Sequence, residues 1–182
     1  MREKWIVETK KGDFNGLSAK LKVSPLAVRC LMNRGVESEQ EMREFLYGTL
    51  DDLHDPFLMK GMDEAGREIV KAKEQGRKVA IASDFDCDGI FSAYILWKGF
   101  QKIGLDSEIF TPDRVKEGYG LNRRIVDEAL AGGRDFLVTC DNGIAANEEV
   151  DYAKKLGMTV IVTDHHEVQE QMPNADTVLD PK

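Results

Sequence analysis

The second half of the chain alternates short apolar runs with longer segments of mixed polarity. Apolar runs of strand character fall at residues 79–82, 136–139 and 159–162, and residues 107–110 are predicted as a further short strand. Helix-compatible segments follow the first three of these four strands, at residues 90–103, 123–131 and 147–156. Strands joined through helices require right-handed crossovers between parallel neighbours. The pattern therefore predicts an α/β fold with a parallel β-sheet and flanking helices.

The chain before Gly76 shows helical patterns instead. Ser24 and Ser38 each fit the N-cap of a helix, the second within a capping box. Another helix is predicted over residues 63–75, and a short strand over residues 5–7. We place the domain boundary near Gly76, where the helical pattern stops. The predicted domains are a small helical lead over residues 1–76 and an α/β domain over residues 77–182.

Aspartate and histidine side chains follow three of the predicted strands at the point where each strand ends. They are Asp84, Asp86 and Asp88 after the first strand, Asp141 after the third, and Asp164, His165 and His166 after the fourth. Because the carboxyl ends of parallel strands meet at one edge of the sheet, these side chains are expected to converge. Carboxylates this close repel one another unless a cation or protons neutralise them. Such ligands suit Mn²⁺ or Mg²⁺, and histidine among them favours Mn²⁺ or Zn²⁺. A pair of metals about 3.5–4 Å apart is a recurring device for cleaving phosphate esters.

The first acidic loop, DFDCDG, also fits other patterns. It begins like an EF-hand calcium loop, but that loop needs a Glu at its twelfth position, where this chain has Ile95. Phosphatases with an aspartyl nucleophile also place Asp-x-Asp after a strand, but Asp88 stands where they carry Thr or Val. A solvated acidic turn accounts for many Asp-rich loops. It loses weight here because two further acidic strand ends follow at the spacing of βα units.

Composition and charge bound the function without deciding it. The net charge is −8, from 25 basic and 33 acidic residues, which counts against broad binding of a phosphate backbone. Bound metals would cancel part of this charge. No apolar run approaches the roughly 20 residues of a membrane span, and residues 1–5 lack the apolar core of a signal peptide. The three cysteines show no CxxC spacing, so a reducing, cytoplasmic location is expected.

The three strand-end motifs DFDCDG, TCDNG and TDHH resemble motifs I to III of the DHH phosphoesterase superfamily. The segments SPLAVRCLMNRGVES, FL…L…L-x-DP and PDRVKEGYGLN are further similar to the RecJ-type exonucleases of that superfamily. The resemblance implies a Rossmann-like DHH domain and 5′→3′ removal of 5′-mononucleotides from single-stranded DNA, in recombination and repair. It also implies two Mn²⁺ or Mg²⁺ ions, with a helicase and a single-strand-binding protein as candidate partners beside the DNA.

The same resemblance suggests the metal ligands. Asp86 and Asp88 would bind the two metals, and Asp141 would bridge them. His165 would ligate one metal, and Asp84 would be a ligand or lie next to one. These residues are thus predicted to act directly at the metals.

Other residues are predicted to act around the metals. His166 would contact the scissile phosphate. Asp164 would not bind a metal itself but would orient a histidine. Asn142 would shape the approach to the phosphate. Arg114 and Tyr119 are candidates for gripping the DNA, one by charge and one by stacking. A solvated Arg114 and a core-packing Tyr119 are equally good interpretations.

The end of the sequence departs from the family pattern. The family carries a fourth acidic metal ligand well downstream, followed by a substrate-binding domain. Asp180 lies too close to the third motif to be that ligand, and the sequence ends at Lys182. We therefore expect the amino-terminal part of the nuclease, with an incomplete groove.

Two other functions stay open at this point. One is a DHH phosphoesterase acting on short oligonucleotides, cyclic dinucleotides or pyrophosphate; the RecJ-like lead argues against it. The other is a non-catalytic binding module. Intact acidic and histidine motifs argue against a binding module, because clustered carboxylates without a metal would cost stability.

Overall fold

The computed structural model describes residues 4–6 and 10–182. The chain divides into two compact units, Met1–Asp55 and Pro56–Lys182. Of the predicted short strand, Trp5 and Ile6 are not in a strand, and Val7 lies outside the described residues.

The first unit is helical, as predicted. It contains α1 (Phe14–Leu21), α2 (Pro25–Asn33), α3 (Glu39–Tyr47) and a 3-10 turn (Leu50–Asp52). Ser24 caps α2 by accepting a bond from the Ala27 amide, and Ser38 caps α3 within a complete capping box. A small apolar core of Leu21, Val28 and Met42 joins the three helices.

The second unit is an α/β domain. After a 3-10 turn (Pro56–Leu58) its elements are α4 (Met62–Glu74), β1 (Val79–Ser83), α5 (Cys87–Ile103), β2 (Ser107–Phe110), α6 (Arg123–Ala131), β3 (Phe136–Cys140), α7 (Asn147–Lys155), β4 (Thr159–Thr163) and β5 (Thr177–Leu179). The five strands form one parallel sheet in the order β2-β1-β3-β4-β5. The predicted fold class is confirmed.

Alternation along the strands divides the core into two layers. Ile81 and Val138 point to the face that α4 and α5 cover, whereas Ala82 and Leu137 point to the face that α6 and α7 cover. Strands buried on both faces read as unbroken apolar runs, which is why the sequence shows them clearly.

The structure differs from the sequence predictions in two places. The division between units falls after Asp55 and not near Gly76, because α4 packs Ala65 and Ala72 into the core of the sheet. The pattern of apolar and polar residues also did not predict β5, a strand of three residues at the edge of the sheet.

Candidate metal centre

The strand order places a crevice between β1 and β3. Neighbouring βα units there run to opposite faces of the sheet, and ligands of open α/β folds bind at such a switch point, beyond the carboxyl ends of the strands. The structure brings Asp84, Asp141 and Asp164 to this edge, at the ends of β1, β3 and β4.

The loop after β1 joins a buried carboxylate to a helix start. Asp84 is 1% exposed, and its Oδ1 has no hydrogen-bond partner among the described residues. Asp86 caps α5 by accepting a bond from the Gly89 amide at 3.1 Å, which lowers the pKa of Asp86. A Cβ on Gly89 would lie 2.5 Å from the Asp84 carbonyl oxygen, so only glycine permits α5 to begin this close to the strand.

The loop after β3 turns through a left-handed residue. Asp141 has φ of 60°, and fully buried Asn142 holds the turn. The Asn142 amide donates to the carbonyl oxygens of Ala82 at 3.1 Å and Cys140 at 2.9 Å, and its Oδ1 accepts from the Leu121 amide at 3.1 Å. Asn142 thus ties β1, β3 and the loop before α6 together, a structural role in addition to the predicted one near the phosphate.

The loop after β4 contains a fully bonded carboxylate. Asp164 Oδ2 accepts from the Ile144 amide at 2.9 Å, and Oδ1 accepts from the amides of His165 at 2.7 Å and His166 at 3.2 Å. Oδ1 also lies 2.7 Å from His166 Nδ1. Burial would raise the pKa of Asp164, but these bonds outweigh it and the pKa is lowered. The bond to Asp164 in turn raises the pKa of His166.

Asp141 lies between the other acidic groups. Its Oδ1 is 3.4 Å from His165 Nδ1 and has no hydrogen-bond partner within the part of the chain that the structure describes. Burial, and then the nearby charge of Asp86, raise the pKa of Asp141 to about 6. Among the described residues no lysine or arginine pairs with this buried carboxylate, and the nearby charges of His165 and His166 lower its pKa only in part.

Two groups of ligand atoms converge around Asp141. In each group the potential ligand atoms lie within 4.8 Å of one another; the groups are Asp84, Asp86 and Asp141, and Asp141, Asp164, His165 and His166. The orphaned oxygens of Asp84 and Asp141 and the oxygen-rich donor set fit a hard divalent cation. Asp88, predicted as a ligand, belongs to neither group, because it sits exposed in the first turn of α5.

The structure separates the two predicted DNA contacts. The Tyr119 hydroxyl donates to the Asp141 carbonyl oxygen at 2.6 Å and lies 3.2 Å from His166 Nδ1. Burial and the surrounding carboxylates raise the pKa of Tyr119. The exposed Arg114 guanidinium lies over the Phe85 ring, 5.0 Å from its centroid, beside the first acidic loop.

Hollows flank the acidic cluster on both sides. One of about 530 Å³ is lined by Tyr119, Ile144 and His166. The other, of about 720 Å³, is mostly apolar and runs from Asp141 and His165 to Phe91 on α5. Space for a substrate thus adjoins the cluster. Within the described residues, the structure has no helix of the length and apolarity that a membrane crossing requires.

Several contributors at this edge were missed in the sequence. The Ile144 amide, the Tyr119 hydroxyl and the Phe85 ring all act through contacts between segments that are distant in the chain or in different loops. The GYG sequence around Tyr119 was a signal that this loop approaches the site, but the hydroxyl contacts were not predictable from it.

Comparisons with known proteins agree with this architecture. Residues 78–182 match the family described as "DHH family, N-terminal domain". The chain is 36% identical over 180 residues to the single-stranded-DNA-specific exonuclease RecJ of Bacillus subtilis (strain 168), which covers 98% of this chain and 23% of the relative. It is 34% identical to RecJ of Escherichia coli (strain K12) over 159 residues, 86% of this chain and 27% of the relative.

Solved structures show the same similarity. Exonuclease RecJ bound to manganese superposes with a TM-score of 0.65 at 33% identity, over 71% of this chain and 33% of that one. RecJ in complex with Mn²⁺ from Thermus thermophilus gives a TM-score of 0.65 at 28% identity, over 92% of this chain and 23% of that one. The chain spans about a quarter of the length of the two curated relatives. The predicted family is confirmed: the chain belongs to the DHH family and is similar to the RecJ exonucleases.

Proposed function

We propose that this chain supplies the metal-binding part of a nuclease site that hydrolyses phosphodiester bonds in single-stranded DNA. One observation carries the proposal. Asp84 and Asp141 each hold a buried carboxylate oxygen without a hydrogen-bond donor in the described part of the chain, and they converge with Asp86 at the switch point of the sheet. The names of the RecJ relatives and the manganese in their structures support the choice of substrate and ion.

The proposed ligands follow the two groups of converging atoms. Asp84, Asp86 and Asp141 would hold one Mn²⁺ or Mg²⁺ ion, and Asp141 with His165 would hold a second. Asp88 stays a predicted ligand, which would have to reach the metals from the first turn of α5. Bound ions of this kind polarise a phosphoryl oxygen and lower the pKa of a bound water.

The chain's other residues would position the substrate. Asp164 bonds Nδ1 of His166, so Nε2, when it is protonated, is the ring nitrogen that would donate to a phosphate oxygen. Burial of Asp141 and Asp164 keeps these carboxylates away from bulk water, where their charges act more strongly. Arg114, beside the first acidic loop, would attract the DNA backbone, and the Tyr119 ring is a predicted surface for a base.

The finer activity is proposed from the resemblance. It comprises 5′→3′ digestion that releases 5′-mononucleotides by a two-metal mechanism, in a cytoplasmic DNA recombination and repair role. A helicase and a single-strand-binding protein are the proposed partners. The predicted domains, a helical lead and the first part of a DHH domain, belong to the same proposal.

The proposal is tested in two steps. First, Mn²⁺ binding to the 182-residue chain is measured by titration calorimetry. Second, residues 1–182 replace the matching segment of the B. subtilis relative, and this chimera is assayed on 5′-phosphorylated single-stranded DNA. Pyrophosphate and a dinucleotide serve as competing substrates, and Asp141→Asn in the chimera is the control.

Release of mononucleotides that is lost in Asp141→Asn is the expected result. Hydrolysis of only the small substrates would replace the nuclease by a small-molecule phosphoesterase. An inactive chimera, together with a chain that binds no Mn²⁺, would replace it by a binding module.

A further inference from the structure

The Tyr119 hydroxyl connects two of the acidic loops. It donates to the carbonyl oxygen of Asp141 at 2.6 Å and lies 3.2 Å from Nδ1 of His166. We infer that Tyr119 is a positioning residue, whose hydroxyl holds the His166 ring in one orientation for the substrate phosphate. This inference rests on the proposed function and gives Tyr119 a role other than the predicted stacking on DNA.

The donors and acceptors around the Tyr119 hydroxyl determine where the protons of Tyr119 and His166 lie. A carbonyl oxygen only accepts, so the single hydroxyl proton of Tyr119 goes to Asp141. The hydroxyl oxygen then faces His166 as an acceptor, and the Asp164 carboxylate at 2.7 Å is also an acceptor. Both neighbours require a proton on Nδ1 of His166. The ring is therefore expected to carry a proton on Nδ1. It can donate to a phosphate oxygen from Nε2 when that nitrogen is protonated as well.

The His166 ring is held on several sides. Asp164 bonds its Nδ1, the Tyr119 ring meets it edge to face at 5.7 Å between centroids, and His165 stacks on it at 4.6 Å. Asp164 and His165 belong to the same loop as His166, so they move with it. Tyr119 is the contact from another segment, 47 residues away in the chain. It therefore fixes the ring relative to β3 and not only within its own loop.

The Tyr119 loop has a second attachment beside the hydroxyl. The Leu121 amide donates to Asn142 Oδ1 at 3.1 Å, two residues after Tyr119. Because this anchor and the ring contact remain in a phenylalanine variant, Tyr119→Phe removes the hydroxyl while the loop keeps its place. Tyr119→Leu removes the hydroxyl and the aromatic face together. The pair separates positioning through the hydroxyl from stacking by the ring, which is half-exposed.

The first test uses the metal-free 182-residue chain and needs no activity. It contains three histidines, so the imidazole signals in long-range ¹H–¹⁵N spectra are assigned with His54→Gln and His165→Gln. We expect a protonated Nδ1 on His166, and exchange of that proton with water about tenfold faster in Tyr119→Phe and Tyr119→Leu alike. Unchanged exchange in Tyr119→Phe, with circular dichroism confirming the fold, would overturn the inference.

The second test uses the chimera with the B. subtilis relative. We expect Tyr119→Phe to lower kcat about tenfold with KM nearly unchanged, and to have no further effect when combined with His166→Ala. Wild-type kcat in Tyr119→Phe, with KM raised only in Tyr119→Leu, would assign the residue to base stacking instead. An inactive chimera, together with a chain that binds no Mn²⁺, would refute the proposed function, while the exchange measurement would still decide the role of Tyr119.

Discussion

At the amino-terminal edge of the sheet, the aspartates that precede the strands are paired with basic groups of the same chain. Arg77 Nε donates to Asp135 at 3.1 Å, and Lys154 Nζ donates to Asp176 at 2.6–2.7 Å. Asp106 lies 3.8 Å from Arg134. These pairs are partly solvated, and each contributes little to stability. The charge of each of these aspartates is therefore balanced by a basic side chain of the same chain, without a bound ligand.

At the carboxyl-terminal edge, the basic groups beside the aspartates are histidines: His165 lies 3.4 Å from Asp141, and His166 lies 2.7 Å from Asp164. Among the described residues no lysine or arginine pairs with Asp84, Asp86 or Asp141. Asp84 and Asp141 are also far more buried than Asp135, whose side chain is 52% exposed. The fold thus leaves the charges of these carboxylates without a lysine or arginine partner at buried positions, where an unpaired charge lowers stability most. One residue type thus serves the scaffold at one edge and a cation at the other.

The largest expected effect separates the two edges by metal affinity. Asp141→Asn should weaken Mn²⁺ binding on the order of 100-fold, about 2.7 kcal/mol, because it removes a charged ligand shared by both groups. Asp135→Asn, the matched change at the other edge, should leave the affinity within about twofold. Titration calorimetry of both variants measures the difference, and equal losses would erase the distinction between the edges.

A second prediction concerns the uncharged part of the carboxyl-terminal edge. Asn142→Ala should lower the free energy of unfolding by about 2–3 kcal/mol, because the Leu121 amide and two carbonyl oxygens lose a buried partner. Exposed Asn174→Ala should change it by less than about 0.5 kcal/mol. Urea unfolding compares them. A small effect of Asn142→Ala would mean that the turn after β3 is stable without the Asn142 side chain.

A third prediction uses the raised pKa of Asp141, about 6 against an ordinary 3.8. The folded, metal-free chain binds this proton more tightly than the unfolded chain does. Its stability should therefore fall as the pH rises from about 4 to about 6, by roughly 1–3 kcal/mol, and stay level above that. Asp141→Asn should remove this fall and be more stable than the parent near pH 8. Urea unfolding in a chelator measures both, and a less stable variant would contradict the burial of an unpaired charge.

The smallest effect is expected at the amino-terminal edge, with the opposite sign in pH. Burial would raise the pKa of Asp176, but its bonds to Lys154 and the Val160 amide lower it. The stability from this aspartate is present above its unfolded pKa and disappears as the pH falls through the folded value. Asp176→Asn should thus cost about 0.5–1 kcal/mol near neutral pH and almost nothing near pH 2. Thermal unfolding at both values checks this, and a cost that persists in acid would point to packing instead.

The sequence predicted the sheet well because its three central strands are buried on both faces. β1, β3 and β4 appear as continuous apolar runs, and the acidic residues at their ends follow from where those runs stop. Parallel topology then brings the ends together. The convergence of Asp84, Asp141 and Asp164 could therefore be expected from the sequence.

The backbone conformation of the loop after β1 could not be predicted from the sequence. From the sequence, Asp86 and Asp88 were both predicted to bind the metals, and Asp84 to be a ligand or to lie next to one. In the structure Asp86 caps α5, so the chain changes from the two-residue period of a strand to the helical period between Asp86 and Asp88. The helix begins at Cys87 rather than near residue 90, which carries Asp88 away from the cluster.

Contacts between segments that are distant in the chain were also beyond the sequence. The Tyr119–His166 and Ile144–Asp164 contacts join residues 47 and 20 positions apart. They depend on how the loops fold over the sheet edge, which no periodicity encodes. β5 was missed because three residues are too few to show a period.

Because the backbone at Asp141 is left-handed, a library of all amino acids at this position can separate the demands of the backbone from those of the metal. With φ of 60°, the position accommodates Asp, Asn and Gly, whereas β-branched residues meet a steric penalty there. A library selected only for soluble, folded protein should retain those three residues. A library selected for catalytic turnover should retain Asp alone. The difference between the two lists separates what the backbone demands at this site from what the metal demands.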